Sequence, residues 1–473
     1  MENSKEFRKW GYKFVDFIAD YFDAIEEYPV KSKVKPGEIK SKFPMEAPKD
    51  PQSMEDSLKV ISDTIIPGIT HWQHPRFHAY FPANNSYPSI LADLLSSGFG
   101  VQAMIWETSP AAAELEEVVM DWLIKMLDLP EDWQGVIQDT ASTATLVALL
   151  TARENKSDFK INKEGFDSNK YRIYCSEDAH SSIDKAVKIA GFGLSNLIRI
   201  PINEFHEMIA EELDKQIEKD LAEGFIPLAI VAALGTTSSV AIDPIEEIAK
   251  VSSKHKLWLH VDAAYAGNAM ILPEFRKQIG SLEGVDSFVF NPHKWMFTNF
   301  DLSAYFVKDK EALIRTFSIL PEYLKTSSYG KVNDYRDWGI QLGRRFRSLK
   351  LWLVIQSFGV SKIQEMLRDH IEMGRWFEEK VISHPDYELI LPRVLNVVVF
   401  RYISTNDPDA FNERLLAEIN ASGEMYISHT VLDGKYALRM VSGSTRLTQD
   451  HMQKSWEKLE STAKKVASSI LEK

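Results

Sequence analysis

From about residue 171 to 307 the chain alternates between two kinds of segment. Residues 171–175, 197–201, 228–234, 257–261, 288–290 and 304–307 are short, apolar and rich in β-branched or aromatic side chains, and they read as strands. Helix-length stretches, notably 205–221 and 245–253, fall between several of them. Strands that alternate with helices fold into a mostly parallel sheet with right-handed crossovers and helices packed on its faces. After about residue 353 come amphipathic helices and short strand-like runs at 390–391, 397–400 and 438–441. The expected organisation is an N-terminal helical segment over 1–85, a large α/β domain over 86–353 and a small C-terminal α/β domain over 354–473. No internal repeat or low-complexity tract interrupts it.

A chain of 473 residues is long enough for such a core with smaller units packed on it. The formal net charge of −13 argues against nucleic acid or an anionic membrane as partner. The longest apolar runs fall far short of the roughly 20 residues that cross a bilayer. One cysteine, Cys175, leaves no intrachain disulfide and no cysteine-based zinc site. Residues 1–6 carry no apolar segment behind a basic start, so no signal peptide is expected. These features fit a cytoplasmic enzyme.

Parallel sheets bind ligands outside the carboxyl ends of their strands, so the residues just past each strand are the candidates for chemistry. Strand 288–290 stops at Asn291-Pro292, because proline lacks an N–H and restricts the residue before it. Lys294 follows among His293, Trp295 and Phe297. A lysine in apolar, aromatic surroundings is a candidate for a depressed pKa and for an amine that forms Schiff bases. Asp262 ends strand 257–261, where it can cap a helix or pair with a cation. His180 follows strand 171–175. Residues 135–146 read as a turn that feeds a helix, with small and hydroxyl side chains gathered at the helix start, Thr140–Thr143. Free N–H groups and the helix dipole favour an anion there.

Near the N-terminus Phe7, Trp10, Phe14, Phe17, Ile18, Tyr21, Phe22 and Ile25 recur at helical spacing. Ser4 is the expected N-cap, and Pro29 ends the run. The opposite face is rich in Asp and Glu, which suits a helix packed on a partner subunit better than a membrane-surface helix. Residues 31–51, with four prolines, read as an extended arm with turns. Residues 70–83 hold His71, Trp72, His74, His78, Tyr80, Phe81, Pro82 and Ala83. No carboxylate or third ligand stands at a usual interval for a metal, so the segment reads as an aromatic wall for a flat side chain.

Asn291-Pro292-His293-Lys294-Trp295 resembles the cofactor-lysine motif of the group II pyridoxal-phosphate-dependent decarboxylases, and within them the aromatic L-amino acid decarboxylases. The likeness runs from Phe7 to about Trp456. It implies a fold-type-I enzyme, a homodimer whose N-terminal helices clasp the other protomer, and a site at the dimer interface. It assigns catalysis to Lys294, Asp262, His180 and Tyr323. Lys294 would hold the pyridoxal 5'-phosphate, Asp262 would pair with its ring nitrogen, and His180 would stack on its ring. Tyr323, in a polar segment suited to a lid, would protonate the substrate carbon. Ala141, Ser142, Thr237, Ala264, Asn291 and His293 complete the cofactor contacts. Trp72, Tyr80, Phe81, Pro82, Met104 and Gly343 would line the substrate pocket.

The chain departs from that family's pattern in places. Ala83 stands where the animal enzymes have threonine, and Met104 where they have phenylalanine. Asp139 and Thr143 stand where relatives commonly have Gly and Glu, and Asp139 puts a negative charge near a phosphate. Gly343 leaves pocket volume that goes with large aromatic, including indole, side chains. A tyrosine at 323 goes with amine release, whereas phenylalanine there goes with the aldehyde synthases that add oxidative deamination. The expected activity is therefore decarboxylation of tryptophan, tyrosine, dihydroxyphenylalanine or phenylalanine to the amine. The alternatives are an aromatic aldehyde synthase or another fold-type-I enzyme such as an aminotransferase. No metal is expected.

Overall fold

The computed structural model describes residues 3–168, 170–319 and 330–471. They form two compact units, one of Ala83–Asp369 and one of Met1–Pro82 with His370–Lys473. The first unit is built on a seven-stranded sheet. Its strands are β1 (Gln134–Gln138), β2 (Tyr171–Ser176), β3 (Leu197–Ile200), β4 (Ile226–Ala233), β5 (Trp258–Asp262), β6 (Ser287–Phe290) and β7 (Ser303–Val307), in the order β1-β7-β6-β5-β4-β2-β3. β3, β2, β4, β5 and β6 run parallel; β7 runs antiparallel to both β6 and β1. The expected mostly parallel α/β architecture is what the chain adopts, with all six anticipated strands present.

In this unit two local expectations fail for physical reasons. Residues 134–138 are a strand rather than part of a turn. Gly135 hides it: a Cβ there would lie 2.5 Å from Met120 Cε and 2.9 Å from Phe306 Cε1. Glycine is needed because the helix Pro110–Leu127 approaches this edge strand closely. The helix expected from 205 begins instead at Ala210. Asn203 takes the N–H groups of Phe205 and Glu207, and His206 adopts φ +64°, so 203–208 closes as a turn.

Two helices of this unit are α1 (Tyr87–Phe99) and α2 (Ala141–Lys156). α2 buries Ala144, Val147, Ala148 and Ala152, small residues that let it lie close to the sheet. Gly267, in the turn after β5, does the same on a tighter scale. A Cβ on it would lie 2.5 Å from Phe290 Cβ and 2.9 Å from Ala263 Cβ.

In the other unit the N-terminal helix spans Ser4–Asp23. Its cap is Asn3, not Ser4: the Asn3 side chain accepts the N–H groups of Lys5 and Glu6. Residues 31–51 are extended apart from the turn of helix Glu38–Ser41. The C-terminal part carries an antiparallel sheet in the order β10-β11-β9-β8. Its strands are β8 (Tyr387–Leu389), β9 (Val397–Tyr402), β10 (Ser428–Leu432) and β11 (Lys435–Val441). β10 has no apolar run to announce it, because it is an edge strand with alternate residues facing solvent. Helices Pro408–Ser422 and Gln449–Leu471 complete this part. Among the described residues no helix is long and apolar enough to cross a membrane.

Gly267→Val should overpack the seam between β6 and the turn after β5. The expected loss is about 1–3 kcal/mol, read as a lower urea midpoint with unchanged steepness.

Candidate active site

β7 pairs with β1 on one side and β6 on the other, both antiparallel, so the carboxyl ends of β1 and β6 flank its first residue. That residue is Ser303. Its hydroxyl donates to Asn291 Oδ1 at 2.6 Å and lies 3.3 Å from the carbonyl oxygen of Asp139. One hydroxyl thus ties the turn that carries Lys294 to the start of α2.

Past β6 the chain makes one helical turn, Pro292–Trp295. Lys294 donates its backbone N–H to Asn291 O, and it is half-buried between buried His293 and Trp295. Trp295 stacks on Tyr265, with ring centroids 5.0 Å apart and planes 16° apart. Tyr265 belongs to the loop after β5, whose Ala264 carbonyl accepts the Asn291 N–H. In that loop Asp262 Oδ1 accepts the N–H of Ala264 at 3.1 Å, which fixes the carboxylate at the strand end.

His180 follows β2. Its Nδ1 accepts the N–H of Ser182 at 3.1 Å, so in the neutral ring the proton sits on Nε2. Atoms crowding the ring lower its pKa; Asp262 opposes that shift and Lys294 adds to it. The three groups expected to do chemistry therefore share one electrostatic neighbourhood. His293 is held differently. Its Nδ1 accepts the N–H of Leu302, and burial first, then Lys294, pushes its pKa down to about 3. It is a neutral donor through Nε2.

At the start of α2 Thr140 is the N-cap, and its Oγ1 takes the N–H of Thr143 at 3.4 Å. Among the described residues the N–H groups of Ala141 and Ser142 meet no acceptor. Two open donors at the positive end of a helix of 16 residues suit a phosphate. Asp139 turns its Oδ1 onto the Thr140 N–H at 2.6 Å. Thr237, after β4, is exposed, in a turn closed by the Thr236–Ser239 hydroxyl contact at 2.8 Å.

Met104 and Gly343 lie on adjoining segments. Ala103 donates its N–H to Arg344 O, and Arg344 donates its own to Gln102 Oε1. A Cβ on Gly343 would stand 3.4 Å from Gln102 Nε2. The junction is pinned by the buried Arg344–Glu116 pair at 2.6 Å, with further bonds from Arg344 to Ile137 O and Ala103 O. Trp72, Tyr80, Phe81 and Pro82 belong to the other unit. There Trp72 stacks on Tyr80 at 5.8 Å, and Phe81 is buried under the Arg439 guanidinium. Pro82 packs against Gly443, and His78 anchors the segment by exchanging backbone bonds with Tyr426 and Val441. Tyr323 lies outside the described residues.

Sequence reading missed three supporting groups. Ser303 is one. His260 is another: it is buried, with Nδ1 2.9 Å from Ser287 Oγ and Nε2 3.3 Å from Thr145 Oγ1, and burial pushes its pKa down to about 4. The two-residue period of β5 puts His260 on the same face as Asp262, a signal that was available. The third is Lys350, buried, whose Nζ donates to Asn299 O and Asp301 O and braces the loop between Lys294 and β7.

Few ligands ask for this combination of groups. Pyridoxal phosphate needs an amine for its aldehyde, a carboxylate for its ring nitrogen and open N–H groups for its phosphate, and the donors present at this sheet edge fit all three. Such a site at the strand ends of a mostly parallel sheet defines a fold-type-I pyridoxal-phosphate enzyme. The pyridoxal-dependent decarboxylase conserved domain matches residues 36–403. Tyrosine decarboxylase 2 of Narcissus pseudonarcissus is 42% identical over 96% of this chain and 93% of its own. A phenylacetaldehyde synthase of Arabidopsis thaliana is 40% identical over 98% and 96%. The crystal structure of Catharanthus roseus tryptophan decarboxylase in complex with L-tryptophan superposes with a TM-score of 0.93 at 38% identity, covering 98% of this chain and 99% of that one. The chain belongs to the pyridoxal-dependent decarboxylases, and among them to the aromatic L-amino acid decarboxylase family.

Acid should destabilise the fold. His74 and His293 are pushed down to about 3, and His78, His260 and His370 to about 4, all by burial first. Each contributes stability that is fully present above the unfolded value of about 6.5 and is lost as pH falls toward its folded value, by up to about 1.4 kcal/mol per unit. Burial pushes Asp243 up to about 7 and Asp286 to about 6, which works the other way. With five groups against two, the urea midpoint should fall from pH 7 to pH 5. His293→Asn should make that fall shallower.

Proposed function

We propose that the chain decarboxylates aromatic L-amino acids to their amines. The observation that carries this reading is the shared neighbourhood of Lys294, Asp262 and His180 at the strand ends, in a chain of this family. When bound, pyridoxal phosphate supplies an aldehyde that takes up the substrate amine and a conjugated ring that accepts the electron pair left by departing carbon dioxide.

The residues' parts follow from their chemistry. Lys294 would contribute the amine that holds the cofactor's aldehyde. Asp262, fixed by the Ala264 N–H, keeps a proton on the ring nitrogen, so the ring stays electron-withdrawing. His180 would place an imidazole beside the cofactor, with Nε2–H available as a donor. Ala264 is small enough to leave room for the ring, and Ala141, Ser142, Thr237, Asn291 and His293 would hold the cofactor's polar groups. Tyr323, proposed on sequence alone, delivers a proton to the substrate carbon. Gly343 and Met104 are proposed to bound the substrate pocket, and the family likeness alone assigns Trp72, Tyr80, Phe81 and Pro82 to substrate contact. Absence of a side chain at 343 favours large rings, tryptophan included.

A second reading stands because one relative at 40% identity is a phenylacetaldehyde synthase. Tyrosine at 323 favours the amine product.

The working form is proposed to be a homodimer in the cytoplasm, with the site at the interface. α1 carries Tyr87, Leu91, Leu94, Leu95 and Phe99 along one side, each 46–61% exposed, a stripe too apolar to face water in a stable monomer. The N-terminal helix likewise exposes Phe7, Tyr12, Val15 and Ile18.

Four measurements test these points. Incubation with tryptophan, tyrosine, dihydroxyphenylalanine or phenylalanine should release carbon dioxide and the amine in equal amounts, without peroxide; ammonia and peroxide would identify the synthase. Lys294→Ala should lose both turnover and the borohydride-labelled peptide at 294, while Gly343→Ser should cut tryptophan use about tenfold relative to tyrosine. Leu91→Glu with Leu94→Glu should convert a dimer into a monomer by light scattering; an unchanged mass would remove α1 from the interface.

A further inference from the structure

Asp139 stands just before the helix start where the phosphate of the cofactor is expected, and its carboxylate is bonded to that end of the helix. Oδ1 takes the Thr140 N–H at 2.6 Å and lies 3.4 Å from Thr140 Oγ1, and Oδ2 accepts from Gln341 Nε2 at 3.4 Å. Among the described residues it has no ion-pair partner. It is therefore a charge held by neutral donors at the positive end of α2. Of the four donors at that end, Asp139 uses Thr140 and the cap uses Thr143, which leaves Ala141 and Ser142.

We propose that Asp139 is a built-in competitor of the cofactor phosphate, which holds pyridoxal phosphate affinity down and makes loading reversible. The inference rests on the reading that the phosphate takes the start of α2. A carboxylate at a helix N-terminus favours the helix while the site is empty, because it offsets the dipole. Once a phosphate dianion binds the next two N–H groups, the same carboxylate is a like charge a few ångströms away. Its contribution changes sign between the empty and the loaded protein. A merely structural turn residue would contribute with one sign in both.

Asp139→Asn separates charge from geometry, since the amide oxygen can still accept the Thr140 N–H. Dissociation constants of the full chain for pyridoxal phosphate and for pyridoxal, which has the same aldehyde and ring but no phosphate, are read by absorbance titration after the cofactor is removed. The melting temperature is read with and without pyridoxal phosphate. The expected result is about tenfold tighter pyridoxal phosphate binding with pyridoxal unchanged. The melting temperature should fall for the empty form and rise for the loaded one. Asp139→Gly serves as the second variant where the Asn side chain disturbs the turn. Ser142→Asp checks the underlying reading, because a charge on an open donor should weaken pyridoxal phosphate at least tenfold and spare pyridoxal. If Ser142→Asp weakens the phosphate form while neither Asp139 variant tightens it, the competitor role is overturned and the cradle stands. If Ser142→Asp changes neither ligand, the cradle reading falls and takes the inference with it.

Discussion

β7 is the strand that runs against its neighbours, and the site depends on that reversal. In the parallel part of the sheet each strand delivers its following loop to one edge, which brings the loops of β2, β4, β5 and β6 together. β1 could not join them through a parallel neighbour without another crossover. Antiparallel pairing with β7 puts the end of β1 beside the end of β6 within a single strand's width. The Ser303 hydroxyl closes the gap. The helix whose open end suits an anion and the turn that carries an amine are therefore parts of one hydrogen-bonded frame.

Around that frame the ionisable groups are sorted by burial. His260 and His293 are dry enough to stay neutral at physiological pH, so they orient neighbours without adding charge. His180 keeps more contact with solvent and feels both Asp262 and Lys294. The histidine supports are thus polar and uncharged, while Lys350 braces the loop before β7 through two carbonyls. Asp139 is the departure from that arrangement.

Much of this was legible in the sequence, for identifiable reasons. Apolar runs announce β2 to β7, the edge strand β3 included, to within two residues. Three other edge strands escaped: β1 contains a glycine that a neighbouring helix requires, β10 faces solvent on alternate residues, and β8 lies at Tyr387–Leu389 rather than at the expected 390–391. The pentapeptide around Lys294 and the strand-end positions of Asp262 and His180 carried the chemistry, helped by the family likeness. Ser303 and Lys350 were invisible because their partners are carbonyls and side chains distant in sequence, and a lone serine or lysine carries no pattern. The 203–208 turn was misread as helix because apolar spacing outweighed the Asx signal of Asn203.

The neighbours Gly343 and Arg344 divide two tasks between adjacent positions. Arg344 is locked to Glu116, Ile137 and Ala103, so its replacement would strand a buried carboxylate. Gly343 is exposed and has ordinary clearance from Gln102. A side chain can therefore be added at 343 while Arg344 keeps the scaffold intact. Variation at 343 then asks for no compensating change among the described residues around it.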